Sequence, residues 1–146
     1  MLALLLVAGV IAFAWRRGPQ PQRGLMPEGA LAADGGIDAL LANADALAAR
    51  YPDDPRARYA RAMRRSRGGD LLGAEADLRA ALTALPALRG RDPGRRYEVA
   101  VRATLAALLM EQRREGDARA VAQPVCDAGV DGGVPTTLAL LGLCGR

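Results

Sequence analysis

The chain has 146 residues, a formal charge of +4 and 51% apolar residues, yet only 3% are aromatic. It contains no His, one Ser (Ser66) and two Cys, which excludes a His general base, a Ser-His-Asp triad and zinc sites built on Cys with His. All the basic residues are Arg, and 16 acids are interleaved with them rather than leaving a basic stripe, so the charge does not point to nucleic acid. Ala and Leu, strong helix formers, supply most of the apolar content, and no phosphate-cradling Gly motif is present. The expected fold class is all-α, and no enzyme activity, cofactor, metal or small-molecule substrate is expected.

Residues 1–17 open with the unbroken apolar run MLALLLVAGVIAFAW and close with Arg16-Arg17. Two readings stand. One is a membrane anchor, with Trp15 at the interface and the Arg pair among headgroups. The other is a signal peptide cleaved after Ala12-Phe13-Ala14, against which no positive residue precedes the run. The anchor is the better fit, and the missing basic start also suggests that Met1 is not the true beginning of the protein. Residues 18–36 are rich in Pro and Gly and read as a linker.

A helical pattern begins at Ile37, with Leu40, Leu41, Ala44 and Leu47 on one face. Tyr51-Pro52-Asp53-Asp54-Pro55 breaks it, and Asp54 with Pro55 at the first position opens a second helix running to Arg67 and Gly68-Gly69. Asp70 caps a third, with the stripe Leu71, Ala74, Leu78, Ala81, Leu82 and Leu85, closed by Pro86. Asp92-Pro93 opens a fourth, with Tyr97, Val101, Leu105, Leu108 and Leu109 inward. Gly116 ends it and Asp117 caps a fifth, which Pro124 should kink or end early. Residues 129–146 form a Gly-rich closing segment with a short helix expected at 137–143.

Met63–Asp70 (MRRSRGGD) and Met110–Asp117 (MEQRREGD) share the pattern M-x-x-x-R-x-G-D at an offset of 47 residues, from Asp70 to Asp117. Residues 55–86 also carry Ala62, Gly69-Asp70, Ala74, Leu78, Ala81-Leu82 and Pro86. In these positions the chain resembles the tetratricopeptide repeat family, over roughly 37–128. Residues 102–128 match more weakly, and Arg58 and Arg61 stand where the family prefers large apolar residues. The resemblance implies paired antiparallel helices stacked through small residues. It also implies that the inner face of each first helix binds partner polypeptides. Carried over, the face comprises Arg56, Tyr59, Met63 and Arg67 in one unit and Met110, Arg113 and Arg114 in the next. Such a face would suit an extended peptide with apolar and acidic groups. The alternative for each residue is ordinary core or solvated surface.

Cys126 and Cys144 bracket the Gly-rich end. Either they form a disulfide that staples this segment to the last helix, which implies an oxidising compartment, or they are two small buried thiols. The Arg after the apolar run favour a cytoplasmic repeat domain and the Cys pair favours the extracytoplasmic side; the latter is taken, for a single-pass protein of the inner or plasma membrane. The resulting expectation is a membrane-anchored scaffold or assembly module that binds a protein or peptide. The alternative is the non-catalytic tail of a rhomboid-type intramembrane protease, whose tetratricopeptide tails the Y-P-x-D-P-R-A and V-C-D-A…L-G-L-C segments resemble.

Overall fold

The computed structural model describes residues 24–27, 30, 36–92, 95–128 and 142–144. Among these it has five α-helices and no strand: α1 (Gly36–Arg50), α2 (Pro55–Arg67), α3 (Leu71–Ala84), α4 (Arg96–Glu111) and α5 (Glu115–Ala128), with a 3-10 turn at Leu85–Leu88 between α3 and α4. Residues 1–17, the linker apart from its described positions, and 129–141 lie outside the described residues, so the anchor and the helix expected at 137–143 are not described, save that Gly142–Cys144 is not helical. Among the described residues no helix is long and apolar enough to cross a membrane.

Each helix packs mainly on its neighbour in sequence: α1 on α2, α2 on α3, α3 on α4 and α4 on α5. Small residues make this close stacking feasible, because interaxial distance is set by the side chains at the crossing. Ala62, Ala74, Ala81, Ala106, Ala118 and Ala122 are all buried, and Leu78, Leu105, Leu109, Val101 and Val125 fill the space between helices. A fully buried side chain of that size contributes roughly 1.5–3 kcal/mol.

The helix ends follow from local chemistry. Asp54 caps α2 by accepting the Arg56 N–H at 2.8 Å, with Pro55 at the first position, where no N–H is required. Asp70 caps α3 by accepting the Gly73 N–H at 2.9 Å. A Cβ on Gly73 would sit 2.1 Å from the Asp70 carboxylate, so the absent side chain makes room for the cap.

The corner between α4 and α5 departs from expectation. Gly116 and Asp117 do not form it; both lie inside α5, where Glu115 and Asp117 place negative charge on the first turn. The chain turns instead at Gln112–Arg114, with Arg113 at φ 61°. Its backbone bonds repeat those of the first corner. The N–H groups of Gly68, Gly69 and Asp70 reach the carbonyls of Arg64, Ser66 and Arg65. Those of Gln112, Arg113 and Arg114 reach Leu108, Met110 and Leu109. The two corners are thus related by 44 residues (68 to 112), three fewer than the M-x-x-x-R-x-G-D alignment gives.

Two further expectations change. Asp92 does not open α4 directly: the helix begins at Arg96, and the Asp92 carboxylate accepts the Tyr97 N–H from five residues upstream. Pro124 does not end α5, which continues to Ala128. The Pro- and Gly-rich stretch also reaches the core, since Met26 is fully buried with Ala48, Tyr51 and Ala57.

Candidate functional site

The residues assigned to a groove by the sequence separate into three groups. Arg56 belongs to a buried clamp. Its Nε and Nη2 donate to the Asp54 carboxylate at 3.1 and 2.8 Å, and Nη2 also donates to the Met26 carbonyl at 2.6 Å. The Met26 N–H returns a bond to Asp54 at 2.6 Å. Asp54 is wholly buried and Arg56 nearly so, which removes Arg56 from any exposed face. Burial works to raise the Asp54 carboxyl, but the donors from Arg56 and Met26 outweigh it and hold the group below the ordinary aspartate range.

Arg114 and Arg113 belong to the second corner. Arg114 donates to Asp117 at 2.8 Å and, across the hairpins, to Glu75 on α3 at 2.7 Å. Glu75 also takes Arg79 at 2.8 Å. Burial would raise the Glu75 carboxyl, and the bonds from Arg79 and Arg114 reverse this and lower it. Arg113 is exposed and supplies the left-handed turn. Arg67 is exposed on α2, with Nη1 3.2 Å from Asp38 of α1; Arg64 pairs with Asp45 of the same helix.

Tyr59, Met63 and Met110 remain as half-buried surface. Tyr59 and Met63 lie one turn apart on α2. Their counterparts on α4 at the 44-residue offset are Ala103 and Ala107, also half-buried, and Met110 follows on the next turn. The Tyr59 hydroxyl lies 3.3 Å from Thr104 Oγ1 and links α2 to α4. Tyr59 and Met63 on α2, with Ala103, Ala107 and Met110 on α4, thus place one aromatic, two thioethers and small side chains at half-buried positions.

Comparison with protein-family models, curated proteins and solved structures finds no match to this chain.

Ala103, Thr104 and Ala107 escaped the sequence reading because the 47-residue register set Met63 opposite Met110 rather than Ala107. The alanine spacing 103, 106, 107 held the correct signal, but Ala is too common in this chain for the spacing to stand out. Arg61, which seemed misplaced at an apolar position, donates twice to Asp77 at 2.8 and 2.5 Å. Arg65 adds a contact to the same carboxylate at 3.0 Å. Asp77 is buried, so this cluster joins α2 to α3 by charge where the tetratricopeptide pattern would use an apolar contact.

At the other end, Cys126 of α5 is joined to Cys144 by a disulfide, with Cα atoms 5.4 Å apart. Leu143 is buried in the main core beside it.

Proposed function

We propose that the chain is a membrane-anchored, tetratricopeptide-like module that binds a partner polypeptide along the strip between α2 and α4. The observation that carries this reading is the half-buried run of Tyr59, Met63, Ala103, Ala107 and Met110, tied across two helices by the Tyr59–Thr104 contact. The small Ala side chains leave room for a partner's side chains, and Tyr and Met provide adaptable apolar contact at its edges. Arg56, Arg61, Arg102 and Arg114 nearby are engaged in ion pairs with their own chain, so the strip selects by shape more than by charge. The hairpins stacked on one another support a repeat array, with the 44-residue offset reflecting a longer connection between α3 and α4.

The apolar run of residues 1–17 supplies the tether. The Cys126–Cys144 bond supports an extracytoplasmic location, where such bonds persist. The module acts as a scaffold or assembly factor, without chemistry of its own.

Replacing Met63 and Met110 by Glu places charge on the strip at half-buried positions. The double variant should fold and lose partners that co-purify with the wild-type chain from membranes. An unchanged set of partners would remove the strip from the account.

A further inference from the structure

We infer that the pocket between the 3-10 turn and the first half of α4 is a second binding site, which takes an acidic peptide segment bearing apolar side chains. It is separate from the strip between α2 and α4 and does not depend on that reading.

The cavity measures about 480 Å³, within the usual range for small ligand sites. Its floor is apolar: Leu82 and Leu85 are half-buried, and Leu88 is 3% exposed. Its rim is cationic, with Arg89, Arg95 and Arg102. The two acids at the rim are already engaged. Asp92 accepts the Tyr97 N–H at 3.0 Å. Glu98 accepts from Arg95 at 2.8 Å and from Arg102 at 3.0 Å, and these bonds keep it ionised and neutralised.

Residues 89–96 carry four Arg (Arg89, Arg91, Arg95, Arg96) against the single acid Asp92. Of these, Arg95 pairs with Glu98, while Arg89 lines the apolar floor with no ion pair among the described residues. A partner with alternating Glu and Leu meets both features: Leu side chains enter the cavity while a carboxylate takes the Arg89 guanidinium in a charge-assisted bond. The connection that carries the site is also what separates the two helix corners by 44 residues rather than the shorter spacing of a compact repeat.

The test is fluorescence anisotropy on the full chain in detergent, with a labelled peptide of alternating Glu and Leu and its Gln–Leu counterpart. The Glu–Leu peptide should bind, with affinity falling as salt rises, and the Gln–Leu peptide should bind at least roughly tenfold more weakly. Arg89→Glu should weaken the Glu–Leu peptide by roughly tenfold or more. Arg119→Glu, which removes the same charge from the exposed surface of α5, should leave it nearly unchanged. The inference is overturned by no binding, by equal loss in the Arg119 and Arg89 variants, or by loss only in the Met63→Glu, Met110→Glu variant.

Discussion

Gly69 and Arg113 hold the same place in two helix corners 44 residues apart (69 to 113), each with a positive φ, 82° and 61°. Glycine adopts this conformation freely, whereas a residue with a Cβ pays about 1 kcal/mol for it. Arg113→Gly is therefore expected to stabilise the chain by up to about 1 kcal/mol, and Gly69→Ala to destabilise it by at least about 1 kcal/mol. Urea unfolding of the two variants checks this, and a loss of stability in Arg113→Gly would contradict the shared geometry.

The Asp54–Arg56 pair makes a sharper prediction. Asp54→Ala removes the cap of α2, the acceptor for the Met26 N–H and the partner of a nearly buried guanidinium. Breaking such a pair on one side costs roughly 3–5 kcal/mol. Removing both charges together, in Asp54→Ala with Arg56→Met, should recover part of that loss. Equal losses in the single and double variants would show that Arg56 does not rely on Asp54. Amide exchange at Met26 should accelerate in both.

Acid should expose the same contacts. The Asp54, Glu75 and Glu98 carboxyls are all held below their ordinary values. Each binds its proton less tightly in the folded chain than in the unfolded one. They therefore stabilise the fold above the ordinary carboxylate range, near pH 4, and that stability is lost as pH falls through their lower folded values. Urea midpoints measured from pH 6 down to pH 2 should decline, and the decline should be shallower in Glu75→Gln. A flat profile in the wild type would mean that these pairs contribute nothing.

Reduction offers a fourth test. The Cys126–Cys144 bond closes a loop with a sequence separation of 18. In the chain-entropy account a loop of this size is worth about 3 kcal/mol. Cys126→Ser with Cys144→Ser, or addition of a dithiol, should lower stability by that order and free Leu143 from the core. A reduced chain as stable as the oxidised one would show that α5 holds the closing segment without the bond.

The helix order and most helix ends were legible in the sequence because they depend on local chemistry. Asp54-Pro55, Gly68-Gly69 and Asp70 act within a few residues of themselves. The second corner was misread for a physical reason: Arg113 adopts a conformation that sequence reasoning reserves for Gly, and the nearby Gly116-Asp117 matched a turn pattern while serving as the first turn of α5. Arg56 was misplaced because its partners, Asp54 and the Met26 backbone, come together only through the fold. Met26 itself lay hidden in a stretch whose Pro and Gly content suggested a linker. Of the proposed strip, Tyr59, Met63 and Met110 were visible as large half-apolar side chains at helical spacing, and the alanines between them were not.

The most direct test of the central claim is position-resolved photo-crosslinking. A photoreactive side chain is placed at Tyr59, Met63, Ala107 or Met110, and at Thr83 on the exposed surface of α3, in the full chain expressed in cells. The account predicts one polypeptide adduct from all four strip positions and none from Thr83. No adduct along the strip, or the same adduct from Thr83, would contradict it.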